Sequence, residues 1–192
     1  MRIKWNTRDL MVTLVIGLAL GVLLIPVTYA YVAFLGVGGL FTRSLIGGIY
    51  FLPAVFAAYV VRKPGASFLA SAIGGLTSMP FTPYGFIVLA VSILIGLVGE
   101  LFIWLNTRYK DFALPRLLTA GAATGLAVFL LILGSVLRSA EFEWNALVLV
   151  ALVLSGVTFA VCGLLAKALA DAVARTGVLG NTALGKANVE EI

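Results

Sequence analysis

Histidine is absent from this sequence, and cysteine occurs once, at Cys162. Histidine is the commonest general base and proton carrier near neutral pH and a frequent metal ligand, so its absence weighs against hydrolytic and metal-dependent chemistry. A single cysteine excludes an intramolecular disulfide and a metal–thiolate cluster. No glycine-rich phosphate-binding loop is recognisable, so any ATP hydrolysis would belong to a partner. We expect no catalytic residue, no metal and no cofactor in this chain.

Charged residues are also scarce. They make up 11% of the 192 residues, whereas hydrophobic residues make up 62% and the mean hydropathy is +1.15. Soluble domains average about 45–50% apolar and ~25% charged residues, so most of the surface of this protein must face lipid. The formal net charge of +5 is then most simply explained by basic loops beside a membrane rather than by nucleic-acid binding.

Six apolar runs follow one another along the chain. Lipid offers backbone groups no hydrogen-bond partner, so each run is expected to be helical, and about 20 residues are needed to cross ~30 Å of hydrocarbon. We predict an all-α bundle of six transmembrane helices, a single membrane-embedded domain over 1–192, with spans at about 10–35, 44–61, 66–79, 86–105, 117–137 and 146–170. The third run is short and is expected to span incompletely. Pro26 is expected to kink the first helix, and the glycine-rich segment 36–43 is predicted to be an outer loop.

Lysine and arginine are distributed unequally between the two sides of this bundle. If the N-terminus is cytoplasmic, eleven of the thirteen basic residues fall on the cytoplasmic side, and only Arg43 and Arg138 fall outside. The positive-inside rule therefore predicts that both termini are cytoplasmic. The turn 62–65, Arg-Lys-Pro-Gly, is expected at the inner surface, where two cations meet anionic headgroups and Pro-Gly reverses the chain.

Three stretches carry a resemblance to a known family. They are "RKPGA" at 62–66, "GLVGELFIWLNTRYKDFALP" at 96–115 and "TGVLGNTALGK" at 176–186. In this order, they resemble the YkoE family of substrate-binding (S) components of energy-coupling factor (ECF) ABC transporters, from about Tyr50 to Lys186. The resemblance implies a multi-pass protein of the prokaryotic cell membrane that captures a vitamin outside. It also implies docking on a transmembrane coupling subunit driven by two ATPase subunits.

The resemblance suggests a ligand as well. YkoE relatives are associated with thiamine or its hydroxymethylpyrimidine precursor, so this chain is expected to bind one of these or a related small heteroaromatic. The chain departs from the family in the third helix, where Ser71, Thr77 and Ser78 stand in the region that often carries acidic residues. Because a cationic ligand favours carboxylates, a different vitamin or small metabolite is the alternative.

Acidic residues are costly within a membrane span, so their presence there indicates a functional or structural role. Glu100 lies inside the fourth span, where a carboxylate costs roughly 2.5–3.5 kcal/mol. The family resemblance points to a substrate-binding role, in which Glu100 accepts a hydrogen bond from a ligand amino group. The alternative is structural, since Glu100 lies in the cytoplasmic half of its span and could hold helix ends together. Lys167 and Asp171, four residues apart in the sixth helix, are predicted to form a local ion pair.

Aromatic side chains are enriched at the outer ends of the helices. An interfacial aromatic belt explains most of them, Tyr31 among them, but the excess also fits a site where a flat ring stacks between side chains. Tyr50, Tyr84 and Trp144 are the candidates for such stacking. Arg43 is predicted to pair with a ligand anion, or else with Glu141 or Glu143.

Glycines spaced four residues apart occur in two helices. Gly17 and Gly21 lie on one face of the first helix, a spacing that lets another helix approach closely. S components resemble one another in a small-xxx-small motif on this helix, so both glycines are predicted to dock the coupling subunit. Packing inside the bundle is the alternative, and for Gly121 and Gly125 in the fifth helix it is the prediction.

Two rival functions fit the sequence less well. An integral-membrane enzyme acting on lipid would need clustered Asp, Glu or His near the interface. A channel would need polar residues repeated along one face of several helices, whereas serine and threonine are scattered here.

Overall fold

The fold is entirely helical over the residues that the structure describes. This computed structural model describes residues 5–137, 146–176, 182 and 184, without the side chains at 35–38, 40 and 134–137. The helices are α1 (Thr7–Gly47), α2 (Leu52–Val61), α3 (Ala66–Ser78), α4 (Phe86–Thr107), α5 (Leu114–Leu137) and α6 (Ala146–Arg175). Single 3-10 turns, Gly48–Phe51 and Met79–Phe81, precede α2 and follow α3. The predicted all-α fold is confirmed.

Within the part of the chain that the structure describes, five segments are long and apolar enough to cross a membrane. They are Thr7–Phe34, Phe41–Val61, Phe86–Thr107, Leu114–Leu133 and Ala146–Arg175, and each matches a predicted span to within a few residues. The remaining helix, α3, has 13 residues. It is therefore only about 20 Å long, whereas the hydrocarbon layer is ~30 Å thick. The expectation of a short third helix is confirmed.

The first span ends where α1 reverses direction at Gly39. Gly39 has φ +47° and ψ −119°, a conformation that is open to glycine and strained for other residues. Past it, the Thr42 hydroxyl donates to the carbonyl oxygen of Phe34 at 3.1 Å, although a continuous helix would separate residues i and i+8 by about 12 Å. The predicted outer loop 36–43 is thus a break at one residue. Pro26 lies inside α1 with helical dihedrals, and the bend expected there stays a prediction.

The centre of the bundle is α2, all ten residues of which are buried. A helix that is apolar on every side must be surrounded by other helices, and α1, α3, α4 and α6 pack around this one. Lipid-facing side chains belong instead to the longer helices, as for Val15, Leu101 and Val153, each more than half exposed.

Glycines set the closest helix approaches. A Cβ added at Gly17 would lie 2.9 Å from the backbone oxygen of Ala70, and one at Gly21 would lie 2.8 Å from that of Gly74. Both glycines are therefore covered by α3. These contacts match the alternative of packing inside the bundle, and docking of the coupling subunit at Gly17 and Gly21 stays a prediction.

The fifth-helix pair behaves as predicted. A Cβ at Gly121 would lie 2.7 Å from the backbone oxygen of Phe159, and one at Gly125 would lie 2.5 Å from that of Ser155. The Ser155 hydroxyl also donates to the carbonyl oxygen of Gly125 at 3.1 Å. These contacts hold α5 against α6 at backbone distance.

Candidate functional site

Polar and aromatic side chains gather at two opposite ends of the bundle. We name the end that carries Arg62, Lys63, Arg108 and Lys110 the basic end. We name the end that carries Tyr31, Tyr50 and Tyr84 the aromatic end. The two ends follow from topology, because α2 runs from the aromatic end to the turn at 62–65, and α4 runs from the turn at 82–85 to Arg108.

Tyr50 is anchored by a hydrogen bond inside the aromatic end. It lies in the 3-10 turn between α1 and α2, where its side chain is only partly buried. The Tyr50 and Thr28 hydroxyls lie 2.7 Å apart, while the Thr28 hydroxyl also donates to the carbonyl oxygen of Leu24 at 2.9 Å. Thr28 therefore accepts from the phenol and fixes where the Tyr50 ring lies.

Tyr31 and Tyr84 form the second pair at this end. Their ring centroids lie 6.1 Å apart at an interplanar angle of 62°, an edge-to-face arrangement. Both hydroxyls are within electrostatic reach of the Tyr50 hydroxyl. Arg43 Nε donates to Tyr31 Oη at 3.2 Å, across the reversal at Gly39. Three sequence segments that are far apart thus place three tyrosines and one guanidinium together.

This cluster contains three of the five residues predicted to bind substrate, namely Arg43, Tyr50 and Tyr84. Trp144 lies outside the described residues, as do Glu141 and Glu143. Thr28 was missed by sequence reasoning, although a hydroxyl in an apolar span was its one visible signal. Tyr31 was assigned only to the interfacial belt, because its partners come from elsewhere in the chain.

Glu100 lies at the basic end, away from this cluster. Its Oε1 accepts the backbone N–H of Gly65 at 2.6 Å, and its Oε2 accepts those of Ser67 at 3.1 Å and Phe68 at 3.3 Å. The Tyr109 hydroxyl donates to Oε1 as well. The backbone donors open α3, where N–H groups have no partner within the helix and the helix dipole favours an anion.

The carboxylate of Glu100 therefore caps α3 and joins α4 to it. Glu100 lies 14 residues after the start of α4 at Phe86, which places it about 21 Å along the helix from the aromatic end. The contacts match the structural alternative for this residue. Burial and the neighbouring carboxylate raise the pKa of Tyr109, so its phenol stays protonated as the donor.

A second polar cluster at the basic end surrounds the predicted Lys167–Asp171 pair. The ion pair is present, with 3.0 Å between Lys167 Nζ and Asp171 Oδ2. Tyr59, on the buried α2, completes a triangle, since its hydroxyl donates to Asp171 Oδ1 at 2.8 Å and accepts from Lys167 Nζ at 2.8 Å. Arg62 lies over the rings of Tyr59 and Phe112 at 5.5 and 5.4 Å. Sequence spacing revealed the pair but not Tyr59.

The described residues contain no group of three His, Cys, Asp or Glu side chains placed to hold a metal ion. At the aromatic end they offer ring faces, ring edges and the Arg43 guanidinium, which suit a small, flat, polar-edged molecule.

Proteins similar to this chain are transport proteins. The family model described as the permease component of ABC-type cobalt transport systems matches residues 8–127. A protein of Bacillus subtilis (strain 168), provisionally named HMP/thiamine permease protein YkoE, is 38% identical over 107 residues, which are 54% of this chain and 51% of the relative. This chain thus spans about half the length of that curated relative.

A solved structure resembles the whole bundle. The crystal structure of an S-component of an ECF transporter matches with a TM-score of 0.89 and 32% sequence identity, covering 98% of this chain and 95% of the other. The likeness therefore extends over both ends of the molecule.

Proposed function

Because this chain belongs to the YkoE family of ECF transporter S components, we propose that it captures thiamine, its hydroxymethylpyrimidine precursor or a related small heteroaromatic for uptake. The aromatic end is the binding end and faces the outside of a prokaryotic cell membrane, with both termini cytoplasmic. The name of the Bacillus subtilis relative supports this ligand class, and the excess of basic residues at the opposite end supports the orientation.

The observation that carries the proposal is the tyrosine cluster. Tyr31, Tyr50 and Tyr84 come from the first span, the second span and the α3–α4 turn, and they meet at one end of the bundle. Tyr50 and Tyr84 are partly exposed, so their faces are available to a ring that enters from that side. Stacking on aromatic side chains is worth about 1–3 kcal/mol per ring.

An ECF S component works with a coupling subunit and ATPases. This chain shows no phosphate-binding loop, so the energy for transport comes from those partners. The lipid-facing surfaces of α1, α4, α5 and α6 leave room for a membrane partner. A small metabolite other than a vitamin remains compatible with the same architecture.

Cobalt is the cargo named in the description of the matched family model. Cobalt sites are built from histidine, thiolate and carboxylate ligands, whereas this sequence has no histidine and one cysteine. That cysteine, Cys162, is buried within α6, with 3% of its surface exposed. The aromatic cluster therefore favours an organic cargo.

The test is ligand binding by the purified full chain. We expect Tyr50→Ala to weaken binding of hydroxymethylpyrimidine or thiamine by about 5- to 150-fold, because one stacking face is lost. Tyr29→Ala is the matched control, because Tyr29 lies in α1 next to Thr28 and its side chain is 54% exposed. Isothermal titration calorimetry in detergent measures both.

Equal affinity of Tyr50→Ala and Tyr29→Ala would remove Tyr50 from the site. Failure of the unaltered protein to bind either compound, together with tight binding of Co²⁺, would overturn the organic cargo.

A further inference from the structure

The carboxylates of the described residues lie apart from the tyrosine cluster at the aromatic end. In the described ranges every acidic side chain lies toward the basic end, and each has a partner: Asp9 with Lys63, Glu100 with the α3 N-terminus, Asp111 with Arg116, and Asp171 with Lys167. None of these carboxylates lies at the tyrosine cluster. The charge that the described residues bring to that cluster is the Arg43 guanidinium.

Arg43 differs from the ion-paired cations in what it contacts. Its Nε donates to the neutral Tyr31 hydroxyl at 3.2 Å, and no carboxylate in the described part of the chain lies within ion-pair distance of it. A guanidinium has five N–H donors in a planar fork, so the terminal amino groups are left for another acceptor. Arg43 is the third residue of the second span, Phe41–Val61, so its guanidinium lies at the outer end of the bundle, where a ligand from outside would arrive.

The position of Arg43 is fixed by the fold. The reversal at Gly39 brings it back to Tyr31, which lies 12 residues earlier and would be about 18 Å away in a continuous helix. Tyr31 is in turn held by the Tyr84 ring. The guanidinium is therefore oriented by the same rings that would stack the ligand.

We propose that Arg43 is a specificity-determining residue, which makes the site select a neutral or anionic heteroaromatic bearing an oxygen acceptor over a cationic one. This inference rests on the proposed function. The free N–H groups donate to a hydroxyl or phosphate oxygen of the ligand. A ligand with a fixed positive charge, such as that of a thiazolium ring, is repelled by the guanidinium when it occupies the same site.

The experiment compares three probes on the detergent-purified full chain: hydroxymethylpyrimidine, which is neutral, its monophosphate, which is anionic, and thiamine, which is cationic. We expect the unaltered protein to bind one of the first two at least roughly tenfold more tightly than thiamine. Comparing the alcohol with the phosphate identifies which oxygen the guanidinium takes.

The readout for Arg43 is the affinity for the better bound of the first two probes divided by the affinity for thiamine. Arg43→Gln, which keeps a donor and removes the charge, is expected to narrow the ratio roughly tenfold or more. Arg43→Lys keeps the charge and is expected to retain part of the preference. Thermal unfolding of each variant shows that it is folded.

The loop carboxylates Glu141 and Glu143 provide the competing explanation. The double variant Glu141→Gln, Glu143→Gln is expected to leave the ratio unchanged. If the unaltered protein prefers thiamine, or if the double variant shifts the ratio and Arg43→Gln does not, Arg43 does not set the selectivity.

The two proposals fail differently in this design. If none of the three probes binds the unaltered protein, both the proposed function and the role of Arg43 are wrong. If the probes bind and Tyr50→Ala weakens them, but Arg43→Gln leaves their ratio unchanged, the proposed function stands and the role of Arg43 is wrong.

Discussion

The basic end and the aromatic end of the bundle use polar groups in opposite ways. At the basic end, Glu100 alone accepts three backbone N–H groups and the Tyr109 hydroxyl. At the aromatic end, Tyr50 and Arg43 each have one side-chain hydrogen bond, to a neutral hydroxyl. Hydrogen bonds to charged groups are roughly twice as strong as neutral ones, and Glu100 makes four of them whereas Arg43 makes one. The basic end is thus built as a frame, and the aromatic end leaves donors and ring faces that the proposed ligand would use.

Two predicted roles that came from the family resemblance have structural alternatives, and the contacts match those alternatives. The carboxylate of Glu100, predicted to bind substrate, accepts the N–H groups at the N-terminus of α3. Gly17 and Gly21, predicted to dock the coupling subunit, pack against α3. In each case an intramolecular partner satisfies the feature that the sequence exposed.

The largest expected effect comes from removing the acceptor at the basic end. Glu100→Ala leaves three backbone donors and the Tyr109 hydroxyl unpaired, so we expect a loss of about 3–5 kcal/mol in the free energy of unfolding. Thermal unfolding in detergent measures it. Asp111→Ala is the matched control, because its ion pair with Arg116 is half exposed on both sides and contributes about 1 kcal/mol or less. Equal losses in the two variants would mean that Glu100 is not a structural residue.

The next effect concerns the close contact between α1 and α3 at Gly21. Gly21→Leu places a side chain where even a Cβ would lie 2.8 Å from the backbone oxygen of Gly74, and overpacking of this kind costs about 1–3 kcal/mol or more. Gly47→Leu is the control, since a Cβ there meets nothing within 4 Å. Circular dichroism melting of the two variants tests this. A Gly21→Leu protein that is as stable as Gly47→Leu but fails to co-purify with a coupling subunit would support the docking role instead.

The same chemical change made at both ends sharpens the comparison, and the smallest effect is expected at the aromatic end. Tyr59→Phe removes a hydroxyl bonded to Asp171 and Lys167, so we expect it to cost about 1.5–3 kcal/mol of unfolding free energy. Tyr50→Phe removes a hydroxyl bonded to Thr28 and is expected to cost about 0.5–1.5 kcal/mol. Thermal unfolding of both proteins decides the order. A larger loss for Tyr50→Phe would contradict the assignment of the frame to the basic end.

Much of the fold could be predicted because hydrophobicity is a local property. Runs of apolar residues located the spans, and Pro64-Gly65 located the turn between α2 and α3, where Gly65 has φ +91°. The Lys167–Asp171 pair could be predicted because residues four apart share one helix face. The break at Gly39 was less visible, since four residues of Gly-Val-Gly-Gly are compatible with a loop or with a single reversal.

Sequence alone determined that this is a helical membrane protein with an asymmetric charge distribution, because lipid constrains composition and backbone hydrogen bonding within each segment. Tertiary structure decided which side chains meet. The bond between Glu100 and Gly65 joins residues 35 apart, and that between Tyr59 and Asp171 joins residues 112 apart. Such contacts depend on how helices cross and on where close approach is possible. The hydropathy and spacing of a single segment do not contain that geometry, so the difference between the basic end and the aromatic end is visible only in the packed bundle.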